Sequence, residues 1–147
     1  MSQGFVDVGD GRVWFEKAGD GPSIVFLHPG LWDSRTWDDQ FADFSATYRC
    51  VRYDFRGYGR SDRPEPGRSY SHVDDLAAVM DAVGIDRAAL VGCSMGGSTA
   101  IDAALVHPGR VTALVLAGSG INGDFDLTAD EEAELERVNG PVEKSDA

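Results

Sequence analysis

Apolar residues in this chain gather into short, almost unbroken runs: Ile24-Val25-Phe26-Leu27, Ala88-Ala89-Leu90-Val91, and Val111 to Ala117 with Thr112 its only polar member. Runs of this kind fit strands buried on both faces, the situation in a parallel sheet covered by helices. Tyr48 to Asp54, polar at its start, predicts a fourth strand. Between the runs the pattern changes to helical spacing. After Ser71, an N-cap residue with Asp74 three positions on, Val73, Leu76, Ala77, Met80 and Val83 recur until Gly84 stops the run. A helix is expected from about Asp33 to Ala46 with Trp37, Phe41 and Phe44 on one face. A third follows Ser94 through Ala100, Ile101, Ala104 and Leu105 and ends at His107-Pro108.

Strands alternating with helices imply right-handed crossovers, so the pattern predicts an α/β fold with a doubly wound, mostly parallel sheet. At the front, Phe5 to Val8 and Arg12 to Glu16 flank Gly9-Asp10-Gly11 and read as an antiparallel hairpin on the edge of that sheet. At the back, Thr128 and Glu131 form a capping box opening a short acidic helix whose apolar contacts are Leu135 and Val138. The expected organisation is a core over residues 1–123 followed by an acidic, weakly anchored region over 124–147. Pro64-Glu65-Pro66-Gly67 marks a loop within the core, not a boundary.

Composition narrows the function classes. With 147 residues, 42% of them hydrophobic, the chain has enough material for one ordinary core. No apolar run approaches the ~20 residues of a membrane span. The N-terminal stretch MSQGFVDVGD lacks the basic and apolar regions of a signal peptide, which with two cysteines makes a cytoplasmic setting the expectation. The net charge of −12 argues against a nucleic-acid partner. Nine acids against Arg137 and Lys144 put −7 of it after residue 123 and leave −5 for the rest. Six arginines between Arg49 and Arg68 are interleaved with Asp54, Asp62 and Glu65 and read as a solvated charged surface.

The chemistry centres on Gly92-Cys93-Ser94-Met95-Gly96, directly after one buried strand and directly before a helix. In that position a G-x-S-x-G is a nucleophile elbow: the glycines let strand and helix close on a strained turn that pushes out the serine hydroxyl. A phosphate-binding glycine turn is the competing reading, but the G-x-G-x-x-G fingerprint is absent. A serine attacking an acyl group needs donors for the oxyanion. The Met95 amide lies at the positive end of the following helix. A second donor is expected from Leu27-His28-Pro29-Gly30-Leu31-Trp32. Pro29 has no N–H, which leaves Gly30 or Leu31, and glycine turns its amide the more easily. The alternative for this loop is a tight turn that sets Trp32 on the core.

Several separated stretches resemble the α/β-hydrolase family. FLHPG is similar to its oxyanion strand and loop, and YDFRGYGRSD (Tyr53 to Asp62) to its D-x-R-G-x-G-x-S stretch. VGCSMGG (Val91 to Gly97) resembles its elbow, and HPGRVTALVLAG (His107 to Gly118) its next strand. Within the family, the combination looks like the lactonase and esterase branch related to 3-oxoadipate enol-lactonases. The resemblance implies Ser94 as nucleophile, the amides of Gly30 and Met95 as oxyanion hole, and a small-molecule ester or lactone as substrate. Ser rather than Asp at the elbow argues against the dehalogenase and epoxide-hydrolase branches, which attack with a carboxylate.

Family order then requires an acid and a histidine after the serine. His107 is the only histidine there, and 13 residues along one helix at ~1.5 Å per residue put it about 20 Å from Ser94. His107-Pro108 reads as a helix stop. His28 is expected to support the oxyanion loop and, with Trp32, to border the pocket, and His72 to be a solvated first-turn residue. Asp124 and Asp126 read as loop or cap-hinge residues, and Asp54 and Asp62 as acceptors for backbone or arginine donors. Cys93 is expected to be buried and inert, and Cys50 to open a strand. No histidine or cysteine spacing implies a metal or organic cofactor. The expectation is therefore a hydrolase fold truncated before its catalytic acid and base, its own activity impaired. The alternative is a non-catalytic half-domain that binds a partner or itself through Val111–Ala117, an exposed edge strand.

Overall fold

A computed structural model describes residues 1–120; the Thr128 capping box, Asp124, Asp126 and the boundary at 123/124 lie outside the described residues. The front hairpin forms as expected from β1 (Ser2–Asp7) and β2 (Arg12–Ala18), paired antiparallel with Phe5 opposite Trp14. The apolar runs become β3 (Ser23–Leu27), β5 (Ala88–Cys93) and β6 (Val111–Ala117), and the polar-led run becomes β4 (Arg49–Tyr53). The six strands lie in the order β1-β2-β4-β3-β5-β6. β2 joins β4 antiparallel, while β4, β3, β5 and β6 are mutually parallel.

Helices cover both faces. On one, α2 (His72–Ala82) and α3 (Met95–Val106) pack Leu76, Val79, Met80, Ala100 and Ala103 against Val25, Leu27, Val51, Tyr53 and Leu90. The hydroxyl of Ser71 caps α2 by accepting from the Asp74 amide at 3.2 Å. On the other face, α1 (Asp38–Phe44) sets Phe41 on Ile24, Phe26 and Cys50.

Two expectations need correction. The helix predicted from Asp33 to Ala46 is two pieces, a 3-10 turn over Ser34–Trp37 and then α1, and Phe44 is 44% exposed. The Asp33 carboxylate accepts from the Arg35 amide and clasps the Arg35 guanidinium, which fixes a tight first turn instead of an α-helical one. The arginine run is not uniformly solvated either. Arg52 and Arg56 are buried, Arg52 between Glu16 and Asp38, Arg56 between Asp75 and Asp10 with a further bond to the Val8 carbonyl.

β6 ends the sheet. Beyond half-buried Val111 its residues are exposed, including Leu114, Val115 and Leu116, and α3 packs beside the strand.

Candidate active site

β5 delivers Ser94 to the C-terminal end of the parallel strands, and α3 begins at the next residue. Ser94 has φ 49° and ψ −117°, a region that non-glycine residues rarely occupy, and its side chain is exposed and makes no capping bond. Backbone bonds hold the turn from both sides. The Ser94 amide donates to the Ala117 carbonyl on β6, and the Ser94 carbonyl accepts from the Ser98 amide, both at 2.9 Å.

Close approach explains the glycines around it. A Cβ on Gly92 would stand 2.5 Å from the Gly96 carbonyl oxygen, and one on Gly96 would stand 2.2 Å from that of Leu27. These contacts press the first turn of α3 against the end of β3, which sets Met95 beside the loop after β3. The free amides of that first turn give it a positive end beside the serine hydroxyl.

The loop after β3 differs in detail from the sequence reading. Gly30 has a φ outside the left-handed region and lies against the Met95 side chain, whose Sδ would be 3.8 Å from a Cβ at this position. The left-handed residue is Leu31, at φ 67°, with its side chain 92% exposed. Trp32 is 65% exposed, so the turn does not set it on the core. With Pro29, Arg35, Thr36 and Cys93 it lines an open depression of about 640 Å³.

Cys93 is thus half-exposed rather than buried. Alternation along β5 turns Gly92 toward α3 and Cys93 toward the opposite face, where the described residues leave it partly uncovered. Arg35 and Thr36 carry no expectation in the sequence reading. The Asp33–Arg35 pair could have been suspected from its spacing in a polar turn; it holds the Asp33 carboxyl down to about 2, chiefly through the guanidinium hydrogen bonds.

His28 lies behind this loop instead of bordering the depression. It is fully buried, with Nδ1 2.7 Å from the Pro29 carbonyl oxygen and Nε2 2.9 Å from the Phe55 amide nitrogen. The amide can only donate, so Nε2 accepts and Nδ1 carries the proton. Burial holds the ring below its ordinary pKa, partly offset by the Pro29 carbonyl. Both nitrogens are committed, which makes His28 a support for the loop and removes it as a base.

His72 is half-buried, not solvated. Its ring meets those of Phe55 and Tyr70, burial lowers its pKa, and Nδ1 has no hydrogen-bond partner among the described residues. His107 follows the last turn of α3, at the end of the helix away from Ser94. Asp54 is fully buried and accepts from the Ser34 and Arg60 amides at 2.9 and 2.8 Å, while Asp62 accepts from the Arg12 amide and guanidinium. The structure therefore brings Ser94, Met95 and Gly30 together and places His107 apart from them. Among the described residues no cluster of three or more His, Cys, Asp or Glu could hold a metal ion, and no helix is long and apolar enough to cross a membrane.

Known proteins share this fold. Residues 22–143 match the family described as alpha/beta hydrolase fold. A 2-hydroxy-6-oxo-6-phenylhexa-2,4-dienoate hydrolase of Comamonas testosteroni is 32% identical over 120 residues, covering 78% of this chain and 42% of that protein. An epoxide hydrolase of Caballeronia sordidicola is 36% identical over 126 residues, covering 83% and 37%. Among solved structures, an N-acyl homoserine lactone degrading enzyme superposes with a TM-score of 0.76 at 35% identity, over 93% of this chain and 52% of that one. The chain spans about two fifths of the length of the curated relatives it matches.

Proposed function

Because the chain belongs to the alpha/beta hydrolase fold family, we propose that Ser94 is the nucleophile of a hydrolase acting on a small-molecule carboxylic ester or lactone. The observation that carries this reading is the backbone of Ser94, held at φ 49° and ψ −117° with its hydroxyl exposed at the start of α3. A strained non-glycine residue is retained where its geometry is used. Ser94 Oγ would attack the acyl carbon and pass its proton to a base. The oxyanion would be met by the Met95 and Gly30 amides. The alcohol would leave with a proton, and water would then hydrolyse the acyl-serine. Trp32 lines one depression with Cys93, the residue preceding the serine, and both would contact the acyl or alcohol portion. A hydroxyl nucleophile suits a carbonyl substrate, which is why an ester or lactone is preferred here to the epoxide named for one relative.

The base and its acid partner are proposed to lie outside residues 1–120. His28 has both nitrogens engaged and His107 lies at the far end of α3. Turnover by this chain alone is accordingly proposed to be weak, the oxyanion donors and binding supplying what remains. Residues 1–123 are proposed as the catalytic core portion and 124–147 as the start of a cap. A cytoplasmic setting is proposed, with Cys50 and Cys93 as thiols.

Labelling with a fluorophosphonate probe and hydrolysis of an activated ester test the reading, with Ser94→Ala as control. The expected result is slow, Ser94-dependent labelling. Labelling and turnover that are equally absent from both chains would overturn it. A second reading, favoured by the exposure of β6, is that copies of the chain associate through Val111–Ala117.

A further inference from the structure

We propose that Tyr58 is the positioning residue of the loop that carries Gly30, its ring fixing the His28 imidazole from which that loop is held. This assignment rests on the reading of Gly30 as an oxyanion donor and names what keeps that donor in place.

Two contacts join Tyr58 to the loop. Its ring meets the His28 ring steeply, with centroids 5.5 Å apart and planes at 70°, the edge arrangement that ring pairs favour. Its hydroxyl oxygen lies 3.8 Å from where a Cβ on Gly30 would stand, and the Met95 Sδ is at the same distance from that point. The open side of Gly30 therefore faces the Tyr58 hydroxyl and the Met95 side chain together. Both side chains also pack, half-buried, against the main core.

Hydrogen bonds alone leave the imidazole a choice. Rotation of a histidine ring about its Cβ–Cγ bond has a broad, roughly two-fold profile. A half-turn would set ring carbons against the Pro29 carbonyl and the Phe55 amide, which Nδ1 and Nε2 now engage. Two rings stand beside the imidazole to restrain it, Phe55 with centroids 4.8 Å away and Tyr58. Of these, Tyr58 is the one that also reaches Gly30.

The turn after β4 is built to deliver that ring. The Tyr58 amide donates to the Phe55 carbonyl at 3.0 Å, and the Tyr58 carbonyl accepts from the Ser61 amide at 3.1 Å. Gly57 and Gly59 flank Tyr58 in the left-handed region, at φ 81° and 51°. At Gly59 a Cβ would stand 2.3 Å from the Asp54 Oδ2, so the turn closes tightly on a buried carboxylate. Tyr58 thus has both peptide groups tied and little freedom to withdraw.

Two measurements test the proposal on the purified chain. Hydrogen exchange of the Phe55 amide, which donates to His28 Nε2, reads the brace, and the rate of fluorophosphonate labelling at Ser94 reads its effect on the site. Tyr58→Leu is expected to speed that exchange and slow that labelling, each about tenfold, while amides within β3 and β4 keep their wild-type rates. Tyr58→Phe keeps the ring and should restore both. Tyr58→Met is a second ring-free variant, and circular dichroism checks that each is folded. In the wild type, a nuclear Overhauser contact between the Tyr58 and His28 rings is expected, and its absence would overturn the proposal without any substitution.

Wild-type exchange at Phe55 and wild-type labelling in a folded ring-free variant would also overturn it. A uniform rise in exchange across β3 and β4 would do the same, because Tyr58 would then be ordinary packing. Equal losses in Tyr58→Phe and Tyr58→Leu would give the role to the hydroxyl and overturn the assignment to the ring. A wild-type chain that is not labelled would remove the Ser94 reading, and exchange at Phe55 would still decide whether Tyr58 holds the loop.

Discussion

His28 Nε2 accepts a hydrogen bond from the backbone amide of Phe55 at 2.9 Å, tying the loop that carries Gly30 to the turn that follows β4. The same ring holds the Pro29 carbonyl through Nδ1, so one neutral imidazole satisfies two buried backbone groups. His28→Phe preserves bulk and removes both bonds. Leaving buried backbone groups unpaired costs about 1–3 kcal/mol each, so the variant should lose several kcal/mol in a denaturant titration.

The pH dependence follows from the same contact. Burial holds the folded pKa of His28 below its ordinary value of 6.5, and that of His72 moves the same way for the same reason. Above that ordinary value both states are neutral and the full stability is present. As pH falls below it, the unfolded chain takes up protons that the folded chain refuses, and stability declines until the folded pKa is passed. Denaturant midpoints at pH 8, 6.5 and 5.5 should fall in that order, with a smaller change in His28→Phe.

Ser94 stores backbone strain, and its removal should be measurable. A non-glycine residue in such a region costs about 1–3 kcal/mol. Ser94→Gly should therefore be more stable than wild type by about 1 kcal/mol, the extra freedom of glycine in the unfolded chain offsetting part of the relief. Ser94→Ala keeps the strain and should not gain. Both should lose fluorophosphonate labelling, so thermal unfolding separates them where chemistry does not.

The Arg56–Asp75 pair is the most enclosed ion pair among the described residues, with side chains 6% and 3% exposed and contacts of 2.7 and 2.8 Å. Arg56→Ala leaves the Asp75 carboxylate buried without its partner, a change that costs about 3–5 kcal/mol. Replacing both, as Arg56→Met with Asp75→Asn, should cost clearly less than the single change. Equal losses in the single and double variants would refute this account of the pair.

What could be read from the sequence was what neighbouring residues decide among themselves. The runs at β3, β5 and β6, the Ser71 cap and the elbow at Ser94 are local patterns, and the structure repeats them. Arg52 and Arg56 were misjudged because their partners, Glu16, Asp38, Asp10 and Asp75, lie between 14 and 46 residues away. No pattern around the arginines distinguishes a buried guanidinium from a solvated one. The same reason hides Cys93, whose exposure depends on what lies over the far face of β5, and His72, which is enclosed by Phe55 and Tyr70 rings brought to it by the fold. Leu31 was passed over for Gly30 because composition points to glycine wherever a loop turns, while here the left-handed residue is a leucine.

Gly96 and Gly30 should respond oppositely to the same substitution, although both border the proposed oxyanion hole. A Cβ at Gly96 would lie 2.2 Å from the Leu27 carbonyl oxygen and 2.7 Å from that of His28, backbone atoms that cannot swing aside. Gly96→Ala must therefore push α3 away from β3, at a cost of about 1–3 kcal/mol or more, and in doing so part Met95 from the loop beside it. At Gly30 the nearest atoms to an added Cβ stand 3.8 Å away, an ordinary contact, and the φ is not one that demands glycine. Gly30→Ala also keeps the amide. It should be within about 0.5 kcal/mol of wild type and retain the fluorophosphonate labelling rate, while Gly96→Ala loses both stability and labelling. Comparable loss of labelling in the two variants would mean that the side-chain space at Gly30, and not its amide, is what the site uses.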